Sequence, residues 1–220
     1  MKKAIIALSG GIDSAVVAAI AKQEGYDLYF LTVNYGQKNI ERELENSKKL
    51  ADYYGVKEHK IIDMKWLGDL GNSGITDKNI HFGNVSDDFI YVPYRNTCII
   101  SACIAWAEVL GADAIMTGSE AGPWICPDNS PEYYKAFNDL VSISTKLNKN
   151  VKIIAPLNYS DKMGNIKKGY ELNVPFEYTW TCVARGDKPC GECQPCRNRL
   201  EAFELLGAKD PAEYLKRETK

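Results

Sequence analysis

The chain opens on Lys3-Ala4-Ile5-Ile6-Ala7-Leu8-Ser9-Gly10-Gly11-Ile12-Asp13-Ser14-Ala15-Val16-Val17-Ala18-Ala19-Ile20-Ala21, and this stretch decides the fold. Lys3 to Leu8 is an apolar run short enough for a buried parallel strand, and Ala15 to Ala21 reads as helix. A strand, a tight Gly-Gly turn and a helix start, in that order, make an anion site. The glycines let the backbone approach a phosphate, and the free N–H groups of the first helical turn point at it. Ser9 and Ser14 can add hydroxyl donors. Asp13 is an odd neighbour for an anion, so it suggests a helix cap or a magnesium contact. A capped helix after a glycine turn is the plainer account of a loose Gly-rich segment. The full Ser-Gly-Gly-x-Asp-Ser string, between a strand and a helix, favours phosphate binding.

The same string resembles the PP-loop of the ATP pyrophosphatase superfamily. That resemblance implies that Leu8, Ser9, Gly10, Gly11, Ile12, Asp13 and Ser14 hold the pyrophosphate of ATP, with Mg2+ as a companion. It also implies an adenylating enzyme, which attaches AMP to a carboxyl, carbonyl or amide oxygen. What is adenylated is not implied.

Outward from this start, strand and helix patterns alternate. Asp27 to Val33 reads as a second strand, Glu41 to Tyr54 as a charged amphipathic helix, and Lys60 to Ile62 as a short third strand. Residues 63 to 90, with Gly68, Gly71, Gly74 and Gly83, are too long for an ordinary connection and read as a functional loop or lid. Thr97 to Leu110 is an apolar helix, Ala114 to Thr117 a strand ending at Gly118, Glu132 to Leu147 a helix and Val151 to Ala155 the last strand. Helices follow near Lys162 to Glu171 and from Arg197 to Leu206. This order predicts an α/β fold: a Rossmann-like parallel sheet with helices on both faces and ligands at the carboxyl ends of the strands. The division expected is a nucleotide-binding α/β domain over 1–178 and a metal-binding C-terminal segment over 179–220.

The chain has 220 residues, 45% hydrophobic and 25% charged, with a net charge of −2. That is ordinary for one soluble α/β core with a small appendage. The charge offers no field that would draw nucleic acid or a membrane surface, so neither is expected as a direct partner. No apolar run approaches a membrane span, and the N-terminus reads as a strand rather than a signal peptide, so a cytoplasmic location is expected.

Seven cysteines in such a chain argue against disulfides. Cys98 and Cys103 lie in an apolar helical stretch and read as small hydrophobes, while Cys126 is alone in a loop. Cys182, Cys190, Cys193 and Cys196 are clustered; the last three are spaced C-x2-C-x2-C, with glycines and prolines that let the backbone turn around one ion. Four thiolates would close a tetrahedral Zn2+ site with no open position, hence a structural one. Metal binding would supply folding energy to a segment too short to bury its own core. A C-x2-C redox pair and an iron–sulfur cluster are the alternatives.

The PP-loop followed by a C-terminal four-cysteine knuckle resembles the 7-cyano-7-deazaguanine synthases of the queuosine and archaeosine pathways. Val92-Pro93-Tyr94-Arg95-Asn96 is similar to their Val-Pro-x-Arg-Asn motif and Thr117-Gly118 to their Thr-Gly strand end. Pro127-Asp128, Ala155-Pro156-Leu157, Lys162 and Glu171-Leu172 follow in the family's order, and Cys190 to Arg199 is similar to its metal knuckle. The resemblance covers nearly the whole chain. It implies a reaction in which the carboxylate of 7-carboxy-7-deazaguanine is adenylated, ammonia forms the amide, and a second adenylation gives the nitrile. Arg95 and Lys162 are the candidate cations, with Asp13 and Ser14 at the reacting phosphates; surface salt bridges are the plain alternative for the two cations. Arg95, Ser119, Glu120, Trp124 and Asp128 are the expected substrate contacts, and a homodimer is implied.

Three departures concern the substrate side. The 117–129 region lacks the family's Asp-x-Ser-Gly part. Gly164 stands where an acidic residue is usual, and Lys38-Asn39 where Arg-His is common. A relative that hands the same acid to another amine, such as a protein N-terminus or lysine, is therefore the second expectation. A nucleotide-binding module without catalysis and a tRNA thiolase are disfavoured, the first by the intact loop and Asp13, the second by the mild acidity.

Overall fold

In the computed structural model, which describes residues 1–71, 73–77, 79, 90–120, 126–146 and 151–215, the opening apolar run is the central strand of a parallel sheet. In β1 (Lys3–Ala7), Ala4, Ile5 and Ile6 are all fully buried. Ala4 and Ile6 belong to one core and Ile5 to the other. A strand covered on both faces reads as continuously apolar, as this one does. With β2 (Asp27–Asn34), β3 (Glu58–Asp63), β4 (Ala114–Met116) and β5 (Lys152–Ile154) the sheet order is β3-β2-β1-β4-β5, every pairing parallel. The chain reverses its direction of travel across the sheet beside β1, so the crevice beyond the carboxyl ends of β1 and β4 is where such a sheet takes its ligand.

The helices among the described residues are α1 (Ile12–Gln23), α2 (Ile40–Tyr54), the single turn α3 (Trp66–Asp69), α4 (Arg95–Leu110), α5 (Pro131–Ser144), α6 (Lys162–Glu171) and α7 (Gln194–Leu205). Residues of α1, α2, α6 and α7 pack with Ala4 and Ile6; residues of α3, α4 and α5 pack with Ile5. Ala202 and Phe203 of α7 are part of the first core, so the C-terminal segment is packed into the sheet's cover.

Element types follow the sequence pattern, and the differences have local causes. The third strand is longer than expected because Glu58–Asp63 pairs along the whole of Tyr29–Asn34. The helix expected from Thr97 begins at Arg95, directly after Tyr94, whose φ of 60° lies in the left-handed region. The last helix begins at Gln194, with Pro195 in its first turn, where the missing N–H costs nothing. It thus carries Cys196 on its first turn. The stretch read as irregular contains α3; residues 72, 78 and 80–89 of it lie outside the described residues, as does Leu147 at the expected end of α5.

Two glycines hold the start of α1 in place. Gly10 has φ +79°, and a Cβ there would lie 2.8 Å from the Glu43 carbonyl oxygen and 3.2 Å from the Ser47 nitrogen. A Cβ on Gly118 would lie 2.8 Å from the Ser14 nitrogen. α2 and the end of β4 therefore press backbone to backbone against the loop. The C-terminal segment closes the third side: the Trp180 N–H donates to the Gly10 carbonyl (2.8 Å). Arg199, 1% exposed, holds that segment with a two-pronged pair to Asp210 (2.9 and 2.8 Å) and further donations to the Thr179 and Phe176 carbonyls. With its donors satisfied, a buried guanidinium is tolerated there.

Gly10→Ala forces a side chain into a left-handed position and against α2. It should cost about 1–3 kcal/mol, or a fall in Tm of roughly 2–4 °C for each of those kcal/mol. Thermal unfolding followed by circular dichroism checks this; an unchanged Tm would contradict the close approach.

Candidate active site

The loop expected to bind phosphate is preorganised by its own hydroxyls. The Gly11 N–H donates to Ser9 Oγ (3.2 Å), the Ser9 N–H donates to Ser14 Oγ (3.3 Å), and Ser14 Oγ donates to the Gly11 carbonyl (3.1 Å). Gly11 is the N-cap of α1 and contributes no side-chain cap, so the N–H groups of the first turn face the crevice without an intrahelical acceptor. Asp13 does not cap the helix, which corrects one of its two sequence readings.

Asp13 instead accepts from Lys162 Nζ (2.6 Å) and from Asn165 Nδ2 (3.0 Å). Lys162 also pairs with Glu120 (2.8 Å), and Asn165 Nδ2 reaches Glu120 as well (3.2 Å). Lys162 is the first residue of α6, and Asp161 caps that helix by accepting from the Gly164 N–H (2.7 Å), which aims the lysine at α1. Burial alone would lower the Lys162 ammonium, but Asp13 and Glu120 outweigh it and hold it above its ordinary range. Glu120 is raised by burial and by the neighbouring Asp13 carboxylate, against the pull of Lys162. Two carboxylates and one ammonium thus sit at the helix start, and the Oδ1 of fully buried Asn165 lacks a partner among the described residues.

A cavity of about 340 Å3 runs from this loop to the ends of β2 and β4. Ser9, Gly11, Asp13 and Ser14 of the loop line it, together with Arg95, Asn96, Ile99, Ile100, Ser119, Asn129 and Tyr134. Arg95 Nη1 donates to the Tyr35 hydroxyl (3.2 Å), and its guanidinium lies 5.3 Å from that ring's centre. Burial pushes the Tyr35 phenol up to about 12. Burial would lower the Arg95 guanidinium, but Tyr35, Cys126 and Glu43 together raise it, so it stays charged. Ser119 Oγ donates to Asn129 Oδ1 (2.6 Å) and receives Asn158 Nδ2 (2.9 Å).

Of the sequence-derived residues, the loop, Arg95, Gly118 and Ser119 border one cavity, and Lys162 and Glu120 stand behind its phosphate end through Asp13. Trp124 lies outside the described residues. Asp128 is 4% exposed, and its carboxylate accepts from the Thr97 N–H (3.0 Å), Thr97 Oγ1 (3.3 Å) and Asn96 Nδ2 (3.3 Å). It caps α4 from a distance and is not among the residues that line the cavity. Sequence reasoning missed Asn129, Asn165, Trp180 and Glu43. Asn129 directly follows the Pro127-Asp128 pair and was open to notice. Glu43 was one acid among several on a charged helix, and only tertiary contacts single it out.

The four clustered cysteines do converge: all four Sγ atoms lie within 4.8 Å of one another, with Cys182–Cys190 at 3.5 Å, Cys182–Cys193 at 3.9 Å and Cys190–Cys196 at 4.0 Å. Tetrahedral coordination with metal–sulfur bonds of about 2.3 Å sets neighbouring sulfurs roughly 3.8 Å apart. The donor set therefore fits one ion, and is too compact for thiolates spread around several irons. N–H groups of Cys190, Glu192 and Cys193 point at the sulfurs, which suits thiolates. The centre is tied to the cavity: the Cys182 carbonyl accepts from Asn39 Nδ2 (2.7 Å) and from the Trp180 indole (2.7 Å), and Trp180 and Val183 line the cavity wall.

The fold and the loop define an ATP-utilising PP-loop enzyme, an ATP-dependent ligase. Residues 3–207 match the family model described as queuosine biosynthesis protein QueC, and the chain belongs to that family. It is 39% identical over 218 residues to the 7-cyano-7-deazaguanine synthase of Chlorobium phaeovibrioides, covering 96% of each chain. To the Oceanobacillus iheyensis protein of the same name it is 39% identical, covering 97% of this chain and 99% of that one. Among solved structures, a predicted tRNA methyltransferase subunit from Methanocaldococcus jannaschii shares the fold at 16% identity and TM-score 0.51, over 100% of this chain and 94% of the other. No helix among the described residues is long and apolar enough to cross a membrane.

Elemental analysis of the purified protein should find one ion per chain held by the four cysteines. Cys190→Ser should lose the ion and unfold at a lower temperature, because closed coordination orders the segment that braces Gly10. A metal-free wild type of undiminished stability would contradict this.

Proposed function

We propose that the chain adenylates the carboxylate of 7-carboxy-7-deazaguanine and, with ammonia, converts it to 7-cyano-7-deazaguanine. The observation that carries this reading is one cavity lined both by a helix N-terminus and by a charged arginine, in a chain matched over its length by proteins named for that product. In this reading the pyrophosphate of ATP rests on the N–H groups of residues 10 to 14, where the helix dipole and free donors favour an anion. Arg95 receives the acid's carboxylate. Ser119 and Asn129 offer the hydroxyl and amide groups that a guanine-like edge pairs with, while Ile99 and Ile100 give its flat face an apolar wall. Trp124 remains a proposed contact, and Asp128 serves by fixing the turn that presents Arg95 and Asn96.

The chemistry needs charge compensation on the departing pyrophosphate. Lys162 supplies it when an incoming anion draws it from Glu120. Asp13 and Glu120 are the oxygen donors suited to Mg2+, which would neutralise the phosphates. The ion at the four cysteines is proposed to be Zn2+, structural because no position is left open. The 1–178 part then binds nucleotide and acid, the 179–220 part braces the site, and the enzyme works as a homodimer.

Incubation with ATP and 7-carboxy-7-deazaguanine should give acid-dependent release of pyrophosphate and AMP, and with ammonia the amide and then the nitrile by mass spectrometry. Lys162→Ala should lower that turnover on the order of a hundredfold or more. Adenylation without any ammonia product would move the assignment to transfer onto another amine. No acid-dependent pyrophosphate release would overturn the substrate assignment.

A further inference from the structure

We infer that Glu43 is the proton acceptor for the amine step, the group that takes the proton from the nitrogen as it is acylated. The inference rests on the function proposed above. Acyl transfer to ammonia forms the C–N bond and breaks the mixed-anhydride C–O bond. AMP leaves with that electron pair, and the new amide nitrogen sheds one proton. The nitrile step removes the two remaining N–H protons as the C–O bond to a second AMP breaks. A site for this chemistry needs a base beside the acyl group, apart from the groups that hold phosphate.

Two carboxylates border the cavity, Asp13 and Glu43. Asp13 is committed to Lys162 at the phosphate end. Glu43 is on α2, whose backbone abuts Gly10 of the loop, and it shares the cavity wall with Tyr35 and Arg95. It therefore borders the same cavity as the loop assigned to the phosphates and the arginine assigned to the acid. Its oxygens are held by neutral amides: Gln37 Nε2 donates to Oε2 (2.7 Å) and Asn39 Nδ2 to Oε1 (3.1 Å). Those amides are themselves fixed. Gln37 Oε1 accepts from the Tyr35 N–H (2.8 Å), Gln37 Nε2 also donates to the Val33 carbonyl (3.1 Å), and Asn39 Nδ2 also donates to the Cys182 carbonyl (2.7 Å). No cation lies within ion-pair distance of Glu43 among the described residues, so the carboxylate is aimed without being neutralised. A mere strut could be built with the same amides, so the test must read proton transfer.

Burial raises the Glu43 carboxyl to about 7, against the opposing hydrogen bonds of Gln37 and Asn39 and the charge of Arg95. A raised carboxyl is protonated below that value, so its capacity as a base is present above it and lost as the pH falls through it. The groups facing it titrate elsewhere: Tyr35 stays neutral and Arg95 charged across this range, and burial lifts the Cys126 thiol beside Arg95 above its ordinary value.

The test compares wild type, Glu43→Gln and Glu43→Asp in three assays: acid-dependent ATP–pyrophosphate exchange, amide formation from ammonia, and hydroxamate formation from hydroxylamine. Hydroxylamine is a much weaker base that is largely unprotonated at neutral pH and sheds its proton readily. Glu43→Gln should keep exchange and hydroxamate formation, and lose amide formation on the order of a hundredfold or more. Expressed per unit of unprotonated ammonia, the wild-type amide rate should fall as the pH drops below about 7, and that limb should be absent from Glu43→Gln and retained in Glu43→Asp. A Glu43→Gln enzyme that makes amide at the wild-type rate would overturn the assignment. So would loss of all three activities together, which marks a structural role. Wild type without acid-dependent exchange would instead overturn the substrate reading, and this assignment with it.

Discussion

The site depends on three backbone approaches to the start of α1. Gly10 meets α2, Gly118 meets Ser14, and the Gly10 carbonyl is tied to the Trp180 N–H. Each brings main chain against main chain, with no room for a side chain on the glycine. The free N–H groups of a helix start attract any anion weakly. Here the surrounding backbone fixes their direction, and the sheet places them at the point where its strand order reverses. The four-cysteine centre belongs to the same constraint, because the segment it orders supplies the third approach and part of the cavity wall.

Charge is arranged around that start in opposing layers. Lys162 lies between Asp13 and Glu120, which takes an ammonium and two carboxylates partly out of water at the helix end that favours negative charge. Removing one partner from such a set leaves a buried charge without compensation. The set is poised for exchange: the carboxylates suit a cation, and the lysine suits an incoming phosphate. On the same cavity Arg95 has, among the described residues, the Tyr35 phenol as its one direct polar partner from another element, which suits it to meet a carboxylate.

Features made of neighbouring residues were legible in the sequence. The opening strand, the Ser9-to-Ser14 loop, the βα alternation and the cysteine spacing are local patterns, and the structure bears out the fold they imply. Features made by distant residues were not. α4 starts at Arg95 with a cap borrowed from Asp128, over thirty positions away, so neither its first residue nor the role of that aspartate could be read from the helix itself. Glu43 looks like Glu41 and Glu45 on a charged helix; it differs because α2 turns it toward Gln37, Asn39 and Arg95. The brace from Trp180 to Gly10 joins residues 170 positions apart and leaves no pattern in either segment.

The measurement that bears most directly on this account is a crystal structure of the protein with ATP and Mg2+. It should show the β- and γ-phosphates on the N–H groups of residues 10 to 14 and Lys162 Nζ turned from Glu120 toward a phosphate oxygen. Phosphates bound elsewhere, with the loop vacant and the Lys162–Glu120 pair intact, would contradict it.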